Sequence, residues 1–257
     1  MKLLYIRKTV QLAVLLMIVL AALSIAGEAS LTLPWLSRFS PLMTISTRLA
    51  ARQWTPYFFG GVLVGFICLL YPRFFCGWIC PMGTCIDLVD TVSVAGKRKT
   101  LVLSCWVLAF LIFLGLFAAS AFGYNVAGYA DPLTITGHAA SVIDTEGQSI
   151  AAGYYTGFFN NLQIIMLVVF CVILLLTVFG RRSWCRILCP LGGFLGALAT
   201  VSLNKRSVSK DCIKCGKCQR VCRMGAIGTD FSKTQDQLCI YCNDCEDICP
   251  VKAISFK

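Results

Sequence analysis

Apolar residues fall into four long, almost uncharged runs, at residues 9–27, 56–71, 101–122 and 162–180. A helix of about 20 apolar residues crosses the roughly 30 Å hydrocarbon core of a bilayer, so each run predicts a membrane-spanning helix. The second run is short and holds Gly60, Gly61 and Gly65, which are small enough to let helix backbones approach closely. Beyond residue 204 the pattern changes to brief apolar stretches separated by polar residues and cysteines, as expected of a small, loop-rich unit. The chain thus divides into a four-helix transmembrane part, residues 1–204, and a tail, residues 205–257.

Two elements recur in the same order along the chain. Ser40-Pro41-Leu42-Met43-Thr44 is echoed by Asp131-Pro132-Leu133-Thr134, and Cys76-Gly77-Trp78-Ile79-Cys80-Pro81-Met82-Gly83 by Cys185-Arg186-Ile187-Leu188-Cys189-Pro190-Leu191-Gly192. Each pair brackets one apolar run in the same orientation. The pattern predicts a parallel duplication of helix hairpins about an axis along the membrane normal.

Composition agrees with a lipid solvent: of 257 residues 58% are hydrophobic and 14% charged, with mean hydropathy +0.77. Basic residues orient the helices, because lysine and arginine in short loops stay on the cytoplasmic side. Lys2, Arg7 and Lys8 precede the first run; Arg73, Lys97, Arg98 and Lys99 lie between the second and third; Arg181, Arg182 and Arg186 follow the fourth. Residues 123–161 contain no lysine or arginine and are placed outside, whereas Arg38, Arg48 and Arg52 in the first outer loop count against the scheme. A multi-pass protein of the cell inner membrane results, with both termini cytoplasmic. The first run also has the make-up of a signal peptide cleaved around Ala26–Ala29, but it is long for one.

Sixteen cysteines against the single His138 make thiolates the metal ligands and exclude a bis-histidine haem. The tail holds Cys212-x-x-Cys215-x-x-Cys218-x-x-x-Cys222 and Cys239-x-x-Cys242-x-x-Cys245-x-x-x-Cys249-Pro250, the spacing of bacterial proteins with two [4Fe–4S] clusters. Three closely spaced cysteines wrap three corners of a cubane, and in this arrangement the fourth ligand comes from the other motif. Cys212, Cys215, Cys218 and Cys249 are therefore assigned to one cluster, and Cys239, Cys242, Cys245 and Cys222 to the other. The tail repeats internally as well, with Ala226-Ile227 and Ala253-Ile254 each four residues beyond a last cysteine, and Arg223 stands where proline is usual. Zinc and disulfides fit neither the spacing nor a reducing compartment. Lys214, Lys217, Arg220 and Arg223 surround the first motif. Without interleaved aromatics they do not point to nucleic acid, despite a net charge of +11. The expected fold class is an α-helical membrane protein: a four-transmembrane-helix bundle of two parallel helix-hairpin repeats plus a small α+β two-cluster ferredoxin-like domain.

Cys76, Cys80, Cys185 and Cys189 sit at the cytoplasmic ends of the second and fourth runs. Cysteines four apart share a helical face, and Pro81 and Pro190 suit the first turn of a new helix. The four are expected to converge and hold or protect a further redox centre; the alternative is that they pack as small apolar side chains, as Cys68, Cys105 and Cys171 are expected to do. Cys85 has no counterpart in the repeat. His138 reads as a solvated loop residue, and Trp35, Trp54, Tyr57 and Tyr71 as interfacial anchors. No flavin, nucleotide or hydrolase motif is present, and no catalytic residue is identified.

At these residues the chain resembles the NapH-like ferredoxin-type membrane proteins, the quinol dehydrogenase component of periplasmic nitrate reductase systems. The likeness rests on Pro41-Leu42-Met43-Thr44, Phe75-Cys76-x-Trp78, Trp184-Cys185, the C-x-x-x-C-P pattern and the two tail motifs. It implies oxidation of the membrane quinol pool and delivery of electrons toward a periplasmic reductase, through a partner iron–sulfur subunit and often a multihaem cytochrome. Relatives sharing C-x-x-x-C-P include assembly factors, so a maturation or redox-sensing role for a partner metalloenzyme is the competing expectation.

Overall fold

A computed structural model describes residues 2–23, 39–52, 58–92, 106–151 and 161–256. In chain order it contains α1 (Lys2–Leu23), α2 (Pro41–Ala51), α3 (Phe58–Leu70), α4 (Phe74–Trp78), α5 (Pro81–Val92), α6 (Trp106–Ala121), α7 (Ala127–Ala130), α8 (Pro132–Ala151) and α9 (Asn161–Phe179). A π-helical turn (Trp184–Leu188) and α10 (Pro190–Val201) complete the helical body. The tail contributes β1 (Arg206–Val208), α11 (Lys217–Val221), a 3-10 turn (Asp236–Leu238), α12 (Asp244–Asp247) and β2 (Ile254–Phe256).

The expected four-helix transmembrane bundle is not found. Among the described residues no helix is long and apolar enough to cross a membrane. Of the run at 56–71 the described residues hold α3, 13 residues, and of the run at 101–122 they hold α6, 16 residues, about 20 and 24 Å at about 1.5 Å per residue. Described side chains cover only residues 4–20 of α1 and 164–178 of α9, and α1 turns the polar side chains of Arg7 and Gln11 inward. Segments read as outer loops are helices of the body instead: α2 packs on α3 and α6, and α8 on α1, α5 and α9. His138 lies half-buried on α8, not in a loop, and Cys171 on α9 is exposed where burial was expected. Cys68 is buried, Cys85 half-buried, and Tyr71 packs edge-on against Tyr241 at 5.8 Å between ring centroids. Trp35, Trp54, Tyr57, Cys105, Arg38, Lys97, Arg98, Lys99 and the stretch around Ala26–Ala29 lie outside the described residues.

Four helices start where the repeated prolines stand: α2 at Pro41, α5 at Pro81, α8 at Pro132 and α10 at Pro190. Proline at the first position gives up an N–H that has no acceptor inside the helix, and its φ is already helical. The preceding residue supplies the cap. Ser40 Oγ accepts from Met43 N at 3.5 Å, and Asp131 Oδ2 accepts from Leu133 N and Thr134 N at 3.1 and 3.2 Å. The two caps then meet, the Ser40 hydroxyl donating to Asp131 Oδ1 at 2.6 Å with both residues fully buried. The two copies of the repeat thus touch at equivalent residues.

α10 lies chiefly on α6. A Cβ at Gly193 would fall 2.4 Å from the Ala109 carbonyl carbon, so the contact requires glycine. One apolar cluster runs unbroken from Leu42, Phe75, Met82, Leu191 and Leu195 of the body into Met224, Leu238 and Ile240 of the tail. The tail closes on itself through antiparallel pairing of β1 with β2, Arg206 opposite Phe256, over a second small cluster around Cys218, Ile227, Cys245 and Ile254.

Candidate metal centres

Each tail motif winds from a loop into one short helix, and the chain then returns past the other motif. This places the eight cysteines around two cavities. One is lined by Cys222, Cys239, Cys242 and Cys245; the other by Cys212, Cys215, Cys218 and Cys249. The last cysteine of each motif is lined up by its own local turn: Ala226 N donates to Cys222 Sγ and Ala253 N to Cys249 Sγ, both at 3.3 Å. That is the physical content of the Ala-Ile repeat, since a backbone N–H at this offset reaches back to the sulfur.

Among the described residues no three histidine, cysteine, aspartate or glutamate side chains stand close enough to hold a single metal ion. A cubane spreads its thiolate ligands more widely than one ion does, and four thiols around an open cavity suit the larger group. Burial pushes the Cys242 thiol up to about 11 and the Cys245 thiol to about 12, with Cys239 raised further. Left alone these sulfurs keep their protons; a cluster held here would take each proton's place with an iron–sulfur bond.

The cysteines of the two C-x-x-x-C-P repeats form a second constellation. Cys80 precedes Pro81, and Cys189 precedes Pro190 and caps α10, its Sγ accepting from Gly192 N at 3.4 Å. The glycine two residues past each proline has a packing reason: a Cβ at Gly83 would lie 2.6 Å from Cys76 O, and one at Gly192 2.9 Å from Cys185 O. Burial raises the thiols of Cys76, to about 12, and of Cys80, Cys185 and Cys189, and in each case other members of the set or the nearby arginines act as well.

Two arginines at equivalent repeat positions cross between the copies. Arg73 Nη1 donates to Cys185 O and Arg182 Nη1 to Cys76 O, each at 3.3 Å, and both residues adopt left-handed φ, 54° and 48°. Their charges are treated differently. Arg182 forms an ion pair with Asp87 at 2.7 Å, whereas Nε and Nη2 of the buried Arg73 find no acceptor among the described residues. Position 196, which corresponds to Asp87, is glycine, and Arg73 Nη2 lies 2.7 Å from where its Cβ would stand.

Asp87 belongs to a buried network joining body and tail. Burial alone would raise its carboxyl; Arg182 and Arg223 outweigh this and hold it below the usual range. Arg223 bridges Asp87 at 3.2 Å and Asp244 at 2.7 Å. Arg7 of α1 reaches Asp244 at 3.3 Å and Cys242 O at 3.3 Å, and Gln11 donates to Asp87 Oδ2 at 3.1 Å. The arginine that replaces proline after Cys222 is thus a clamp, beyond any effect on the turn. From sequence, Arg7, Arg73 and Arg182 were read as topological flanks, but their side chains are at most 1% exposed. Their recurrence three residues before each C-x-x-x-C-P motif was the available signal for Arg73 and Arg182; Arg7, Asp87 and Arg206, which lines both tail cavities, gave none.

Paired four-cysteine cavities in a tail of short helices and a two-stranded sheet define a ferredoxin-type iron–sulfur protein. A 4Fe–4S binding-domain family matches the chain twice, at residues 53–100 and 162–209, and so covers both C-x-x-x-C-P repeats. A second 4Fe–4S binding-domain family matches residues 235–255. Ferredoxin-type protein NapH of Haemophilus influenzae is 26% identical over 201 residues, 76% of this chain and 63% of that protein. YccM of Escherichia coli is 30% identical over 176 residues, 63% of this chain and 44% of its own. Methylamine utilization ferredoxin-type protein MauN of Methylorubrum extorquens is 26% identical over 168 residues, 63% and 51% respectively. The chain therefore spans between under half and just under two thirds of the length of these relatives. No solved structure matches it. By these likenesses the chain is a NapH-like 4Fe–4S ferredoxin-type protein.

Proposed function

We propose that this protein is an iron–sulfur electron carrier that draws electrons from quinol and passes them toward a partner reductase, with nitrate reductase the leading acceptor. The observation that carries the reading is the pair of cavities, each lined by four cysteines drawn from both tail motifs. In this reading Cys212, Cys215, Cys218 and Cys249 hold one [4Fe–4S] cluster and Cys239, Cys242, Cys245 and Cys222 the other, with residues 205–257 as the cluster-bearing unit. Two one-electron sites suit a donor that gives up two electrons and two protons. The quinol donor, and a multi-subunit chain with a further ferredoxin-type subunit or multihaem cytochrome, are what the family resemblance stated from the sequence implies, and the similarity to the ferredoxin-type protein NapH is consistent with electron transfer of this kind. Exposed apolar side chains on α1, α3 and α9, among them Leu12, Leu16, Phe59, Phe66 and Leu175, favour work at the inner membrane.

A further centre at Cys76, Cys80, Cys185 and Cys189 belongs to the same proposal. Its support is the buried cation of Arg73, which meets no carboxylate among the described residues and which an anionic occupant would balance. Changing these four to serine and counting iron and acid-labile sulfide tests it; an unchanged count rules out ligation. The electron-carrier reading is tested by adding a quinol analogue to anaerobically purified, cluster-loaded protein. Reduced-cluster EPR signals appearing within seconds support it, and clusters that stay oxidised while dithionite reduces them exclude quinol as donor.

A further inference from the structure

Among the described residues Arg206 alone lines both tail cavities. It opens β1, paired with Phe256 of β2, and is 8% exposed. Its Nη1 donates to Phe231 O at 3.2 Å and to Thr234 Oγ1 at 2.9 Å, and Nη2 also donates to Phe231 O at 3.2 Å. These acceptors are neutral, and Nε has no acceptor at all among the described residues. The contrast with the neighbouring network is clear: Arg7, Arg182 and Arg223 each meet a carboxylate. A full cation is therefore held in low-dielectric surroundings, between two sets of sulfurs, by partners that leave its charge uncancelled.

We propose that Arg206 is the shared counter-charge of the two centres, a positioning residue that holds both at higher reduction potential than their cysteines alone would set. The proposal rests on the reading that each cysteine set binds a cluster. A thiolate-ligated cluster is anionic and gains one further negative charge on reduction, so a buried cation at its wall favours the reduced form, and net charge and hydrogen bonding are among the levers that set such potentials. Placed between both cavities, one side chain acts on two sites at once. The exposed Lys217, which lines a single cavity, has its charge screened by solvent.

The test is an EPR-monitored redox titration of the anaerobically purified full chain, with iron and sulfide counted in every sample. Arg206→Gln is expected to keep the clusters and lower both midpoint potentials, Arg206→Lys to return both toward the starting values, and Lys217→Gln to leave the centre lined by Cys239 unmoved. Fully loaded Arg206→Gln protein with unshifted potentials, a shift at only one centre, or Arg206→Lys falling as far as Arg206→Gln would each overturn the proposal. Wild-type protein carrying guanidino-¹⁵N arginine provides a readout independent of variant folding. Pulsed EPR should detect ¹⁵N coupling at the reduced centre of Cys212, Cys215, Cys218 and Cys249, and absence of that coupling also overturns it. A wild-type sample without iron defeats the cluster reading instead, which keeps the two failures apart.

Discussion

Asp131 shows how much a single buried side chain can weigh. Burial pushes its carboxyl up to about 6, against the opposing hydrogen bonds from Ser40, Thr134 and Leu133. Below about 3.8, the ordinary value, folded and unfolded chains are both protonated there. Between that value and about 6 the unfolded chain releases its proton first, so stability falls as pH rises and levels off above that range, a loss of roughly 3 kcal/mol. Urea melts between pH 4 and 7 should show this slope, and Asp131→Asn should flatten it; an unchanged slope would move its origin elsewhere. Asp87 behaves in the opposite way, because Arg182 and Arg223 favour its ionised form despite burial. Asp87→Ala strands the fully buried Arg182 and is expected to cost about 3 to 5 kcal/mol in the same melts. Little of this was legible in the sequence. A charge's sign and position along the chain are visible there, but whether the side chain turns inward to a partner far away in the chain is not, and so Arg182 was counted as a flank.

At the scale of elements the prolines were the most readable signal. Pro81 and Pro190 were expected to restart helices, and α5 and α10 begin on them. The close approach of Gly83 and Gly192 to the carbonyls of Cys76 and Cys185 completes the local logic of the repeat. Gly192→Ala should therefore displace the start of α10 and cost about 1 to 3 kcal/mol, with a matching loss from Gly83→Ala. Thermal melts of the two variants check both, and equal stability to wild type would show that the turns yield freely. The hydropathy runs misled in span: among the described residues, 56–71 and 101–122 hold helices of 13 and 16 residues, and none is long and apolar enough to cross a membrane. Residues 123–161 lacked the long apolar stretch that would have marked α8, because that helix mixes threonine, glycine and histidine with its apolar positions. Hydropathy detects long apolar runs, and a helix wedged among others through small and polar residues is invisible to it.

At the scale of the whole molecule, spacing alone suggests how to divide the tail cysteines into two sets of four, and each of the two tail cavities is lined by four cysteines. Such motifs are legible because a cubane fixes ligand intervals tightly. What spacing could not give was the joint between tail and body, where Arg223 and Arg7 tie Asp244 to Asp87 and α1, nor the cation between the cavities. The crossed ligand sets proposed above carry a sharp consequence. Cys249→Ser should disturb the centre lined by Cys212, Cys215 and Cys218, and Cys222→Ser the one lined by Cys239, Cys242 and Cys245, each altering one EPR signal and sparing the other. The most direct measurement is the iron and acid-labile sulfide content of anaerobically purified wild-type protein, read with the EPR spectrum after dithionite reduction. The account predicts two interacting [4Fe–4S]⁺ signals from the tail, with iron and sulfide in equal amounts; a colourless, zinc-containing or sulfide-free protein would contradict it.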